Sequence, residues 1–338
     1  MLLPAAKPMR TLTGLDLQAL PDAVLRSTQP LVLKGLVAQW PMVQAARRSG
    51  QAAAQYLRGF YHGAEVEAFM GEPQYEGRFF YNDDLTGFNF RTVRRKLDDV
   101  LDDLDHSAVE APAPGIYVGS ATLDSCLPGF RSENDVPLGD RDALASIWIG
   151  NRTRIAAHYD APDNLACVVA GRRRFTLLPP EQLENLYVGP LDLTPAGQPV
   201  SLVDFVNPDL EKFPRFAQAL QSAQVAELEP GDAIFIPSMW WHHIEALDDF
   251  NVLVNYWWKQ TPAYMDPAMN ALILAIMCVR DLPPEQRKAW AGLFDHYVFK
   301  ADSESTAHIP PHAKGILGAM EANTTRMLRA HLLKKLNR

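Results

Sequence analysis

The chain is short of the features that would place it outside the ordinary globular proteins. It has three cysteines, Cys126, Cys167 and Cys278, in 338 residues. They are widely separated and form no CxxC pair, so neither a disulfide framework nor a cysteine zinc site can be built from them; the reading is free thiols buried among apolar neighbours in a reducing compartment. Long hydrophobic runs are also missing. The longest, Ala271 to Val279, has nine residues before Arg280, whereas a bilayer span needs about 20. The opening MLLPAAKPMR lacks the charged-then-apolar order of a secretory leader. The expectation is a cytoplasmic protein that does not engage a membrane. Nor is there a cationic excess: Lys+Arg 32 against Asp+Glu 40 leaves a net charge of −8, which argues against general nucleic-acid binding as the main business. No internal repeat, low-complexity stretch or nucleophilic Ser/Cys triad stands out.

What is present is the composition of a folded chain, 47% apolar and 21% charged. Dividing the length by ~150 residues suggests about two domains. The first hundred residues mix signals. Asp22–Ser27 is helix-like, Pro30–Lys34 reads as a short strand, and Ser49 to Gly59 as a helix ended by glycine. Asn89 or Thr92 is placed to cap a helix running from Val93 to Leu104. From about Gly115 the texture changes to short β-branched and aromatic runs between Gly, Pro and Asp turns: Ile116–Val118, Ser146–Ile149, Thr153–Tyr159, Asn164–Val169, Arg173–Leu178, Ala233–Ile236 and Asn251–Trp258. Strands at this spacing point to an antiparallel sandwich or barrel, with a helix-prone insertion at Pro208–Ser222. Beyond Pro262 the pattern is helical again, over Met265–Cys278, Pro284–Val298 and Lys314–Leu336. Such greasy helices could close the barrel or form a dimer interface.

The sharpest local feature is His158-Tyr159-Asp160. On a strand, residues two apart share a face, so an imidazole and a carboxylate project together. Far downstream, the Pro230-Gly231-Asp232 turn and the Ala233–Ile236 strand lead to Trp240-Trp241-His242-His243. Two imidazoles and one carboxylate suit a six-coordinate ferrous ion with three positions left open, and also allow zinc or manganese. A histidine on a strand is more often a hydrogen-bonded core or surface residue, and it is the two halves together that favour metal. Alternation lets one of the pair face the site; with His242 inward, His243 turns outward or towards a supporting partner. In Gly171-Arg-Arg-Arg-Phe-Thr-Leu-Leu, alternation groups Arg173 with Phe175 and Leu177. That is how a buried carboxylate anchor looks, although three adjacent arginines also fit a solvated turn. In Asn251–Trp258, Asn255 and Trp257 share a face, and an asparagine in an apolar strand asks for a partner.

His158-Tyr-Asp160, Asn164, Gly171-Arg-Arg173-Arg-Phe-Thr-Leu-Leu-Pro-Pro, Asp204-Phe-Val-Asn-Pro-Asp, Pro230-Gly-Asp, Ile236-Pro, Trp240-Trp-His242-His-Ile-Glu and Val254-Asn255-Tyr-Trp257 together resemble the JmjC-type 2-oxoglutarate oxygenases. The likeness is nearest to the branch of the asparaginyl hydroxylase that inhibits hypoxia-inducible factor. Phe79-Phe-Tyr-Asn-Asp and Gly115-Ile-Tyr117-Val extend it to about residues 28–262. The resemblance implies a mainly β fold with flanking helices: a double-stranded β-helix, or cupin-like jelly roll, in a catalytic region 1–262 with an N-terminal α+β elaboration. A helical region 263–338 would pair two copies as a homodimer.

The same resemblance implies Fe(II) held by His158, Asp160 and His242. It implies 2-oxoglutarate and O2 as co-substrates, with Arg173, where the branch usually has Lys, on the distal carboxylate. Tyr117, Asn164, Asn255 and Trp257 would line the co-substrate pocket. The implied reaction is hydroxylation of a peptide or protein side chain, with a small molecule as the lesser option, releasing succinate and CO2. A zinc or manganese cupin acting as isomerase or hydrolase, and a non-catalytic scaffold, are the rivals. Two positions depart from the pattern. Ile155 stands where near relatives carry a hydroxyl for the co-substrate carboxylate, and Gly119 where the asparaginyl hydroxylase has a substrate-contacting amide.

Overall fold

The computed structural model describes residues 6–108, 112–302 and 304–337. They fall into two compact units, Met1–Gln260 and Thr261–Arg338. In the first, two mixed sheets form a cupin-like β-sandwich. The smaller runs in the order Lys7–Pro8, Gln224–Leu228, Arg173–Leu178, Trp241–Ala246, Arg154–His158, Arg78–Phe79. The larger runs Thr11–Leu12, Leu31–Leu33, Ala233–Ile236, Asp163–Ala170, Asn251–Trp258, Leu144–Gly150, Gly115–Thr122, Glu65–Gly71, Phe90–Lys96. Pairing between the long strands is antiparallel, and only short strands add in parallel.

The period-two pattern decides which side chains meet. Along Asp163–Ala170, Ala166 and Val168 turn into the sandwich against Phe175, Leu177, Ile234, Ile236 and Leu253. The alternate residues Leu165, Cys167 and Val169 turn the other way, under helices Pro41–Arg48, Gly50–Arg58 and Leu97–Ser107. Every residue of this strand is buried, which is why it reads as an unbroken apolar run rather than an alternating one. Each such Leu, Val or Phe contributes about 1.5–3 kcal/mol when fully buried. A third cluster, with Ala157, Trp241, Phe205 and Phe216, covers the outer face of the smaller sheet.

Local chemistry sets the boundaries. Ser49 caps the Gly50–Arg58 helix, its side chain accepting from Ala52 N. Gly171 has φ +66, and a Cβ there would sit 2.3 Å from Asn251 Oδ1, so the hairpin ahead of Arg173 requires glycine. The segment expected to be helical from Val93 is instead divided: Phe90–Lys96 is an edge strand paired with Glu65–Gly71, and the helix is Leu97–Ser107. Neither Asn89 nor Thr92 caps it. Asn89 accepts from Phe80 N and donates to Arg78 O instead. The alternating Phe-Arg-Thr-Val-Arg run suits a strand once a distant partner is available, which no local pattern announces.

Asp232, 3% exposed, fastens the larger sheet to the N-terminal region. Its carboxylate accepts from Lys34 Nζ (2.7 Å), Gly35 N (2.9 Å) and Glu229 N (2.9 Å).

The second unit contains helices Ala268–Val279, Pro284–Phe294 and Ala322–Leu336. The last begins later than the pattern from Lys314 suggested, because Gly315 (φ +51) and Gly318 interrupt the chain. None of these helices has a buried residue, and Cys278 is exposed, unlike the buried Cys126 and Cys167. Among the described residues no helix is long and apolar enough to cross a membrane.

Replacing Asp232 by Ala removes three acceptor contacts at a buried site. We expect a loss of about 2–4 kcal/mol in urea-induced unfolding; a change below about 1 kcal/mol would show that the carboxylate does not fasten the two segments.

Candidate metal centre

His158 is the last residue of the Arg154–His158 strand and His242 the second of Trp241–Ala246. The two strands are antiparallel neighbours, and His158 is the direct cross-strand partner of His242. Their ring centroids lie 4.3 Å apart. Asp160 follows two residues beyond the strand end, with its Oδ2 3.6 Å from His242 Nε2. One donor atom from each of His158, Asp160 and His242 falls within 4.8 Å of the others.

The supporting contacts point the donors inward. His158 Nδ1 lies 2.9 Å from Ala156 O, and His242 Nδ1 lies 2.9 Å from Trp240 O. When Nδ1–H donates to a carbonyl, the tautomer is set and Nε2 keeps its lone pair for an ion. Burial drives the pKa of His242 down to about 4, with the neighbouring His158 acting in the same direction, so the ring is neutral at physiological pH. Trp257 Nε1–H donates to Asp160 Oδ2 at 3.1 Å and orients the carboxylate. Two imidazoles and one carboxylate converging at the rim of a cavity are a donor set suited to a ferrous ion with open positions.

His243 points away. It is buried on the opposite face of the smaller sheet, stacked on Phe205 with centroids 5.0 Å apart, and burial lowers its pKa to about 3. Period-two alternation separates the two histidines, and the inward face belongs to His242.

A cavity of about 260 Å3 adjoins the triad, just under the ~300–1,000 Å3 usual for ligand pockets. Arg173, Tyr117, Asn164, Asn255 and Trp257 all line it. Arg173 is 2% exposed, and its Nε and Nη2 have no hydrogen-bond partner. The flanking arginines lie on the outer face instead, Arg172 bound to Asp248 and Arg174 to Glu227 and Glu245. Burial pulls the Arg173 guanidinium below its ordinary pKa and holds the Tyr117 phenol well above its own, so Tyr117 remains a neutral O–H. Asn255 donates to Asn164 Oδ1 (3.2 Å) and accepts from Trp148 Nε1 (2.7 Å), which supplies the partners an asparagine in an apolar strand needs.

Sequence reading missed Trp148 and the aromatic wall. Trp148 stacks on Tyr117 and stands edge-on to Trp257. Phe69, Phe79 and Phe90 pack edge to face along the outer part of the cavity. Trp148 lies within a recognised strand, and its indole N–H was the available signal; Phe69 lies on a strand no pattern revealed. Ile155 presents an apolar side chain to the cavity. At Gly119 an added Cβ would sit 2.7 Å from Phe69 Cε2, so the Phe69 ring fills the space of any larger side chain there.

The sequence pattern of the family described as "Cupin-like domain" matches residues 17–264, well over half of the chain. Among individual proteins, the chain is similar to human (Homo sapiens) HSPB1-associated protein 1, with 28% identity over 283 residues, covering 80% of this chain and 56% of that protein. It is similar to lysine-specific demethylase 8 of Xenopus tropicalis, with 27% identity over 247 residues, 70% of this chain and 50% of the other. A third likeness is to tRNA wybutosine-synthesizing protein 5 of Gallus gallus, with 34% identity over 149 residues, 40% of this chain and 44% of the other. The chain thus spans about half the length of these relatives. The matched region contains both sheets of the sandwich save their short N-terminal strands, together with the whole His-Asp-His constellation: this chain belongs to the cupin-like domain family.

Proposed function

We propose that the protein is an Fe(II)- and 2-oxoglutarate-dependent oxygenase that hydroxylates a peptide or protein side chain. The observation that carries this reading is the unpartnered guanidinium of Arg173 in the cavity that adjoins the His158, Asp160 and His242 donors. A buried cation without a counter-charge is costly unless a ligand supplies one. A 2-oxo dicarboxylate has a carboxylate for that fork and an oxo-acid end for a metal. A cupin that acted through its metal alone would have no use for the guanidinium.

The donor set fits iron, with His158, Asp160 and His242 as its ligands. When bound with 2-oxoglutarate and O2, iron supplies the oxidation of a substrate C–H to C–OH, with 2-oxoglutarate leaving as succinate and CO2. The chain's own residues bind and orient. Arg173 pairs with the distal carboxylate through a planar fork. The neutral Tyr117 hydroxyl stands as a second donor, in a pocket where Ile155 offers none. Trp257 holds the Asp160 carboxylate, and the Nδ1 contacts hold both imidazoles. The Asn164–Asn255–Trp148 relay keeps polar groups of the wall satisfied, while Phe175, Ile236, Ile244 and Leu253 exclude water.

The resemblance to the asparaginyl-hydroxylase branch covers Tyr117, Asn164, Asn255 and Trp257, and the chain departs from it at Arg173 and Ile155. Gly119 lacks the substrate-contacting amide of that branch and the Phe69 ring occupies the space beside it, which favours a substrate other than that branch's. The second unit supports a homodimer: its helices expose Leu272, Ile273, Met277, Trp290 and Leu333, and a second copy would cover them.

His158→Ala and His242→Ala should each abolish succinate formation and Mn(II) binding measured by electron paramagnetic resonance, whereas His243→Ala should retain metal binding; the reverse order for the two adjacent histidines would reassign the ligand. Arg173→Met should weaken 2-oxoglutarate binding by about 2–3 kcal/mol, roughly 30- to 150-fold, in anaerobic titration calorimetry. Arg173→Lys should restore part of this by returning the charge without the fork, and an unchanged affinity in the Met variant would remove Arg173 from the co-substrate site. In sedimentation the full chain should run at twice 37.7 kDa, and the double substitution Ile273→Asp, Met277→Asp should make it monomeric; a monomeric parent would end the dimer proposal.

A further inference from the structure

His158 and His242 are set against each other by strand pairing, but Asp160 lies beyond the end of its strand. No ladder bond fixes it. The turn Pro237–Trp240, which leads directly into the His242 strand, supplies the missing attachment. Met239 N–H donates to Asp160 O at 2.8 Å, Ser238 Oγ–H to Ala161 O at 2.6 Å, and Ser238 N–H to Asp163 Oδ1 at 2.9 Å. Asp163 is 5% exposed and is held by hydrogen bonds, its second oxygen accepting from Gln260 Nε2 at 2.6 Å. Both of its oxygens are thus committed to other segments of the chain.

Met239 adds a second sign that this turn is under constraint. It is a non-glycine residue with φ +67, and its side chain is 41% exposed, so packing does not account for its conformation. A left-handed L-residue is strained and persists where its surroundings over-determine it. Here the conformation presents the Met239 N–H to the carbonyl of Asp160.

We propose that the Pro237–Trp240 turn is a clasp, closed by Ser238, Met239 and Asp163, that sets the position of Asp160 relative to His242 and makes Ser238 and Asp163 positioning residues of the metal centre. The inference rests on the reading of His158, Asp160 and His242 as ligands. Without the clasp, Asp160 keeps its Trp257 bond but loses its backbone tether, and the donor set is no longer preorganised.

The test is Mn(II) affinity of the full-length protein by electron paramagnetic resonance, beside the melting temperature of the metal-free protein. Asp163→Ala should weaken Mn(II) binding about 10- to 100-fold, the usual effect of removing a group that supports a ligand. Ser238→Ala, which loses one hydrogen bond, should weaken it roughly three- to ten-fold and serves if Asp163→Ala does not fold. Asp163→Asn should stay near the parent, because its amide oxygen still accepts from Ser238 N–H. Met239→Gly should as well, since glycine keeps the N–H and takes φ +67 without strain. Leu101→Ala, in the core behind the larger sheet, is the control that lowers the melting temperature and leaves metal affinity alone. Parent-like Mn(II) affinity in both Asp163→Ala and Ser238→Ala, or losses no greater than in Leu101→Ala at equal destabilisation, would overturn the clasp while leaving the metal centre standing. A parent that binds Mn(II) no better than His158→Ala would overturn the metal centre and the clasp with it.

Discussion

The antiparallel register between Arg154–His158 and Trp241–Ala246 is the constraint on which the rest of the site depends. It places His158 opposite His242 although 84 positions separate them in the chain. A slip of one residue would bring His243 inward and turn His242 to the outer face, because side chains alternate with period two. The register is held from both sides. Apolar residues of the smaller sheet, Phe175, Leu177 and Ile244, must face the larger sheet, and Trp241 and Ala157 must face the outer cluster. The hydrophobic pattern that builds the sandwich therefore also selects which histidine faces His158 and Asp160.

Around that register the molecule separates two tasks. The inner ends of the strands present the His-Asp-His donors and Arg173 to one cavity. The outer faces carry ion pairs such as Arg172–Asp248 and the more buried Arg174–Glu227; the largely solvated first pair contributes little to stability. Arg172, Arg173 and Arg174 are adjacent, yet only the middle one is removed from water. Its burial without a protein partner leaves an electrostatic demand, and that demand is what the proposed function answers with a carboxylate ligand.

The aromatic wall gives the cavity its individuality. Gly119 and Phe69 act as a pair, since the ring occupies the volume that a side chain at position 119 would need. Ile155 likewise leaves Arg173 and Tyr117 as the polar groups proposed to receive the distal carboxylate. Gly119, Phe69 and Ile155 thus line the same cavity as the His158, Asp160 and His242 donors.

The strands Arg173–Leu178, Ala233–Ile236 and Asn251–Trp258 were legible in the amino-acid order because their alternation and their Gly, Pro and Asp borders are local properties. So were the His158–Asp160 pair and the shared strand face of Arg173, Phe175 and Leu177. The edge strand Phe90–Lys96 was not legible, because its identity comes from pairing with Glu65–Gly71, a contact far along the chain that local propensity does not encode. The same holds for the Trp148–Tyr117 stack, for Phe69 over Gly119, and for the turn that ties Asp160 to Met239. What the order of residues determined alone was which groups could share a strand face. Which strand each lies beside, and hence which groups meet, was decided by burial of two sheets against each other, a choice made by the whole chain at once.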